Sequence, residues 1–185
     1  MSAERRPNRG PSAAAANRAA LIAAAREVFA GAGYDAPLTM VARAAGVGQG
    51  SLYRHFPDRV SLALAVFEDS LADLEALAAR PDATLDDVLA LITEQSIAST
   101  AFVRMVTVPT QPDERILDVR ERVTRLLAGR LPEARRAGRI REDVTAGDLI
   151  MAVGMVALLL AEVPARERPA TAERMWALLR RGIEP

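Results

Sequence analysis

The sequence predicts an all-α protein of about nine helices, in which a three-helix head precedes a larger helical body. Two features of the composition favour helices: alanine is abundant, and aromatic residues make up only 4% of the 185 residues. The third observation is spacing, because apolar residues recur every three or four positions between the prolines. With 50% apolar residues, the chain can bury the core of a globular protein.

The N-terminal segment, residues 1–15, is rich in proline, glycine, serine and alanine, and we expect it to form a disordered basic arm. Its Arg5, Arg6 and Arg9 could reach a DNA minor groove, or the arm could remain a solvated tail. A first helix is predicted over residues 17–31. Its inward residues recur at helical spacing: Leu21, Ile22, Ala25, Val28 and Phe29.

A helix–turn–helix pattern follows in residues 39–59, TMVARAAGVGQGSLYRHFPDR. Thr39 is a candidate N-cap for the second helix, and Gly46 is expected to end that helix in the left-handed conformation. A short third helix is predicted from about Gln49 to Phe56, held by the inward residues Leu52 and Phe56.

The outward side of that third helix carries hydrogen-bond donors and no carboxylate. Donors of these types bind phosphate oxygens and base edges, whereas an ordinary surface helix would normally carry Glu or Asp as well. We therefore expect this helix to contact DNA, with an ordinary polar surface helix as the alternative. The outward residues are Gln49, Ser51, Tyr53, Arg54 and His55.

The stretch AGVGQGSLYRHFPDR resembles the helix–turn–helix of the TetR family of bacterial transcriptional regulators. The preceding ANRAALIAAAREVFAGAGYDAPLTMVARA resembles the first helix and glycine–aromatic loop of that family, so the resemblance covers about residues 16–67. One departure is Arg59, where the family usually has lysine. The resemblance implies that Thr39 touches the DNA backbone from the second helix. By position, it implies phosphate contacts by Ser51, Tyr53, His55 and Arg59, and base-edge contacts by Gln49, Gly50 and Arg54.

The charge distribution agrees with a head that binds a polyanion. Residues 1–60 contain eight arginines and four carboxylates, and the remaining residues contain sixteen arginines and twenty carboxylates. The net charge of zero therefore divides into a positive head and a negative body. We expect residues 16–60 to form the DNA-binding domain and residues 61–185 to form the effector-binding and dimerisation domain.

The body is predicted to contain helices at about 57–80, from about 84 onward with an apolar stripe that continues to residue 106, at 101–108 as a short piece, and at 113–131, 146–163 and 170–182. The first of these is apolar on two sides, which indicates that it joins the head to the body. Thr84 is expected to cap the second.

Polar residues interrupt the inward faces of the body helices and indicate a candidate ligand pocket. The polar anchors would be Gln95, Ser96, Ser99 and Arg120, and a carboxylate-bearing or small apolar effector would suit them. Alternatively, the serines bond carbonyls four residues earlier, while Arg120 pairs with a carboxylate or extends to the surface. The apolar lining would be Phe67, Leu71, Ile92, Phe102, Met105, Val123, Met151 and Met155.

Residues 149–161 are apolar all round, and a helix of this kind must be covered on every side. Thirteen residues are too few for a membrane span, which needs about 20. We expect a two-fold homodimer through the last two helices, or burial within one chain as the alternative. The expected interface residues are Gly154, Ala157, Leu158, Met175, Trp176 and Leu179.

These patterns predict a cytoplasmic homodimeric repressor that binds a palindromic operator and is released by a small molecule. A DNA-binding regulator controlled by a protein partner or by abundance is the alternative. An enzyme is a remote alternative, because the chain has one histidine, no cysteine and no glycine-rich phosphate loop. No metal or cofactor is expected.

Overall fold

The computed structural model of the protein describes residues 11–98 and 113–183. Within these ranges the chain forms eight α-helices, one short 3-10 turn and no strand. The helix predicted at 101–108 lies outside the described residues. The helices are α1 (Pro11–Ala32), α2 (Leu38–Ala44), α3 (Gln49–His55), α4 (Arg59–Ala79), α5 (Leu85–Ala98), α6 (Glu114–Arg136), α7 (Ala146–Glu162) and α8 (Arg168–Ile183), with the 3-10 turn at Ala165–Glu167. The predicted all-α class is confirmed.

The chain divides into two compact units, a head that ends at Val66 and a body that begins at Phe67. The division lies inside α4 rather than at the predicted boundary between residues 60 and 61. Both units therefore contain part of the same continuous helix.

In the head, α1 packs against both α2 and α3. Its first residue is Pro11, so residues 11–15 are helical and the expected disorder is wrong there. Proline suits the first turn of a helix because its missing N–H has no partner there. Gly33, with φ +83°, follows the end of α1, and its N–H donates to the Phe29 carbonyl.

The predicted N-cap of α2 is wrong by two positions. Pro37 occupies the cap with φ −58° and ψ 132°, and no side chain caps this helix. The Pro37 carbonyl already accepts from the Met40 N–H at 2.9 Å. The helix therefore begins at Leu38, and Thr39 lies exposed within its first turn.

In the body, α7 packs against α5, α6 and α8. Reciprocal hydrogen bonds between Thr84 and Asp87 begin α5, which confirms the predicted cap, and a matching pair joins Thr145 and Asp148 at α7. Each of these reciprocal pairs, known as a capping box, satisfies backbone N–H groups that the first turn of the helix would leave without a partner. No described helix is long and apolar enough to cross a membrane.

Candidate functional site

The turn between α2 and α3 is fixed by a left-handed glycine. Gly46 has φ +64°, which confirms its predicted role. Its N–H donates to the Arg43 carbonyl at 3.1 Å, and the Val47 N–H donates to the Ala42 carbonyl at 3.0 Å. This pair of bonds is the Schellman arrangement, which satisfies the last carbonyls of α2.

The short helix α3 is held from below by two apolar side chains. Leu52 and Phe56 are 1% and 2% exposed, respectively. A helix of seven residues cannot persist alone in water, so this burial is what keeps it formed. The predicted inward face is therefore the observed one.

The remaining side chains of α3 form the outward surface. Gln49, Gly50 and Arg54 are exposed, Tyr53 is 51% exposed, and Ser51 and His55 are half-buried. Arg54 Nε donates to the Gly50 carbonyl at 3.1 Å, which lays its guanidinium along the helix toward the N-terminal turn. The helix contains no carboxylate, so the surface presents hydroxyl, amide and cationic donors.

Arg59, at the start of α4, makes contacts within the head that the sequence did not reveal. Its Nη1 donates to the Tyr34 carbonyl at 2.5 Å and to the Ala36 carbonyl at 2.6 Å. The guanidinium carbon also lies 5.6 Å from the centre of the Tyr34 ring. The side chain therefore ties the loop between α1 and α2 to the start of α4, using only one of its nitrogens.

A second arginine, on α1, makes a contact near the C-terminal end of α3 that the sequence did not predict. The guanidinium carbon of Arg18, on α1, lies 5.4 Å from the centre of the Phe56 ring. The ring of His55 is a tilted neighbour of the same phenylalanine ring, with centroids 6.4 Å apart. No local pattern predicts a contact between residues so far apart in the chain.

In the body, two of the predicted polar anchors, Gln95 and Ser96, have partners within the protein. Ser96 is buried, and its hydroxyl donates to the Ile92 carbonyl at 2.7 Å, which is the alternative that the sequence left open. Gln95 Nε2 donates to the Ser70 carbonyl at 2.9 Å and so joins α5 to the body part of α4. Arg120 is half-buried on α6. Ser99 lies outside the described residues.

The predicted apolar lining divides into three groups. Phe67, Leu71, Ile92 and Val123 are buried. Phe102 and Met105 lie outside the described residues. The third pair differs from the prediction, because Met151 and Met155 are 59% and 45% exposed and so face the protomer surface.

The residues predicted at the dimer interface differ from one another in their exposure. Gly154 and Ala157 are buried within the protomer, on the side of α7 that faces the core. Leu158 is exposed, whereas three α8 residues are half-buried against Val156, Leu160 and Ala172. Those three are Met175, Trp176 and Leu179.

A three-helix head with an exposed donor-lined helix after a glycine turn defines a helix–turn–helix DNA-binding protein. Family comparisons agree. Residues 21–66 match the model of bacterial regulatory proteins of the tetR family, and residues 92–185 match the C-terminal domain of SbtR-like transcriptional regulators. The chain belongs to the TetR family, and it is a transcriptional regulator with a helical C-terminal body.

Several solved structures share this fold. SCO0520, a TetR transcriptional regulator from Streptomyces coelicolor, is 32% identical, with 91% of this chain and 98% of that chain covered and a TM-score of 0.56. CprB, a TetR family protein from the same species, is 25% identical, with 93% and 90% covered and a TM-score of 0.68. CprB has also been solved with its operator sequence. A gamma-butyrolactone receptor described as ArpA-like is 26% identical, with 93% and 90% covered and a TM-score of 0.59. No curated protein matches significantly.

Proposed function

We propose that this regulator is a repressor, that it binds a palindromic operator as a homodimer, and that a small molecule bound in the body releases it. The observation that carries the proposal is the surface of α3, whose outward side chains are donors without a carboxylate. Buried Leu52 and Phe56 hold this surface in place. Such a surface can donate hydrogen bonds to the phosphates of a polyanion, and α3 has no carboxylate that would repel them.

The dimensions of α3 suit the major groove. With its side chains an α-helix is about 10–12 Å across, which fits a groove about 12 Å wide. Seven residues at about 1.5 Å each make α3 about 10 Å long. Gln49 and Gly50 begin the helix, at the end of a recognition helix that reads bases. Arg54 lies in the last turn, and its side chain reaches back to the Gly50 carbonyl. The proposed backbone contacts are Thr39, Ser51, Tyr53, His55 and Arg59.

Arg59 remains compatible with a phosphate contact. Only its Nη1 is used by the loop carbonyls, and an arginine has five N–H donors. The proposed role is therefore double: one nitrogen positions the loop, and the others are available to DNA.

The homodimer is proposed from an apolar face on the last two helices. Large apolar side chains lie exposed along α7, and exposed groups of this kind mark interaction sites. A two-fold pairing would cover them with the same residues of a second copy. Two heads then read two half-sites, which requires a palindromic operator. The exposed residues are Met151, Met155, Leu158 and Leu159 on α7, with Leu178 on α8.

The effector is proposed to bind in the body and to act through α4. The support is twofold: a relative with this fold is described as a gamma-butyrolactone receptor, and α4 runs without a break through the division between head and body. A displacement of the body part of α4 would move the start of that helix and hence the two heads of a dimer. A typical coupling of 1–3 kcal/mol would lower operator affinity about 5–150-fold. The proposed effector is a small apolar or carboxylate-bearing molecule.

A regulator without a small-molecule effector is the second candidate. It is favoured by the internal hydrogen bonds of Ser96 and Gln95, because groups that already have partners need no ligand. Thermal stability distinguishes the two candidates, since a ligand that binds only the folded state raises the melting temperature.

Genomic selection tests the function directly. Purified protein is mixed with fragmented DNA at a stated salt concentration, and the captured fragments are sequenced. We expect a shared palindromic sequence. Lactones and small carboxylic acids are then added to the protein–operator complex. Capture of no common sequence would contradict the operator proposal, whereas operator binding that no added compound weakens would favour the second candidate.

A further inference from the structure

Arg18 is an exposed cation on α1 with no established part in the turn or in α3. Its guanidinium carbon lies 5.4 Å from the centre of the Phe56 ring. Within residues 11–98 and 113–183, the guanidinium of Arg18 contacts this ring and makes no hydrogen bond or ion pair. The charge is therefore not neutralised by a carboxylate of the described head.

Stacking on an aromatic ring orients a guanidinium without using its donors. The ring face attracts the cation, while the N–H groups point outward in the plane of the guanidinium. Phe56 is itself buried and follows the last residue of α3, so the ring is a fixed support. The donors of Arg18 are thus held close to Phe56, the residue that follows the C-terminal end of α3.

That end of α3 is where a DNA backbone would lie. An α-helix is about 10–12 Å across with its side chains and nearly fills a groove about 12 Å wide. Because the N-terminal residues of a recognition helix contact the base edges, groups at the opposite end of α3 lie toward the phosphates that border the groove. Arginine binds phosphate with two parallel hydrogen bonds when its plane is oriented in advance.

We infer that Arg18 binds a DNA phosphate beside the C-terminal end of α3, with Phe56 as the platform that orients its guanidinium. The recognition surface then extends from α3 onto α1. This inference rests on the proposed placement of α3 in the groove. It adds a residue that the family resemblance did not supply.

The test compares Arg18→Gln with the wild-type protein by affinity for a 30-base-pair duplex of arbitrary sequence, measured from 50 to 200 mM salt. Each phosphate contact contributes about 0.9 to the slope of log affinity against log salt. Loss of one contact per head therefore lowers the slope by about 0.9 per bound head. The ratio of wild-type affinity to Arg18→Gln affinity should therefore fall about 3.5-fold per bound head between 50 and 200 mM salt.

Two further variants separate a phosphate contact from other effects. Arg18→Lys keeps the charge and should retain most of the salt slope, although it loses the stacked plane. Arg125→Gln removes an exposed arginine of α6, which pairs with Glu121, and should leave the slope unchanged. Circular dichroism and thermal melting confirm that each variant is folded.

The outcomes are distinct. If wild-type protein binds no duplex at all, the proposed function fails before this inference is reached. If wild-type protein binds and Arg18→Gln has the wild-type slope, Arg18 does not contact phosphate and the inference is overturned. An equal fall in slope for Arg125→Gln would also overturn it, because the effect would then be one of net charge.

Discussion

Replacing Arg59 with methionine tests whether this side chain holds the head together. Methionine keeps a flexible apolar chain and removes the donors that reach the Tyr34 and Ala36 carbonyls at 2.5 and 2.6 Å. A hydrogen bond to a charged group contributes about 1.5–3 kcal/mol, and a cation–ring contact contributes about 0.5–1 kcal/mol at an exposed site. Arg59 is half-buried, so water would replace part of these interactions. We therefore expect a loss of about 2 kcal/mol, the sum of one such bond and the ring contact at the lower ends of their ranges.

Urea unfolding followed by circular dichroism measures this loss. With a slope of about 2 kcal/mol per molar urea, the midpoint should fall by about 1 M. Protein concentration must be equal in all samples, because dimerisation would itself change the midpoint. Arg125→Met is the matched control. Among the residues that the structure describes, Arg125 makes an exposed pair with Glu121, and its loss should cost less than about 0.5 kcal/mol.

A wild-type midpoint for Arg59→Met would refute the structural role. If such a protein also lost DNA affinity and salt dependence, Arg59 would act only on phosphate. Arg59→Lys keeps the charge but lacks the planar guanidinium, so its stability should lie between that of the wild-type protein and that of Arg59→Met.

Three further predictions follow from the same structure. Replacing Tyr53 with Phe removes an exposed hydroxyl, so we expect unchanged stability and weaker binding to every duplex, read out by gel shift; a loss confined to one sequence would contradict a phosphate role. Met155→Glu places a charge in the exposed apolar face of α7, so sedimentation at micromolar concentration should show single chains, whereas Leu117→Glu on α6, equally exposed, should leave the dimer intact; a dimer in both variants would refute the proposed interface. The pKa of Asp148 is lowered because the Thr145 hydroxyl and N–H donate to it. Its contribution to stability is therefore present above its unfolded pKa of about 3.9 and is lost as pH falls through the lower, folded value. Urea midpoints between pH 5 and 3 should fall less steeply for Asp148→Asn, and equal steepness would contradict this assignment.

The sequence alone determined the helix–turn–helix because its signals are local. Gly46 takes a backbone conformation that other residues avoid, and Leu52 and Phe56, four residues apart, necessarily share one face of a helix. Thr84 and Asp87 form a cap from groups only three residues apart. These three local predictions depend on interactions within one turn of helix or one tight bend.

The tertiary structure decided which residues serve each surface. Stacking of Arg18 on Phe56 and the hydrogen bonds of Arg59 to the loop join positions more than 20 residues apart, and no periodic pattern encodes them. Likewise, α7 is apolar on all sides, so only the packing of α5, α6 and α8 selects Ala157 as buried and Met155 as exposed. Hydrophobic burial is non-directional, and a uniformly apolar helix therefore carries no information on which side faces its own chain.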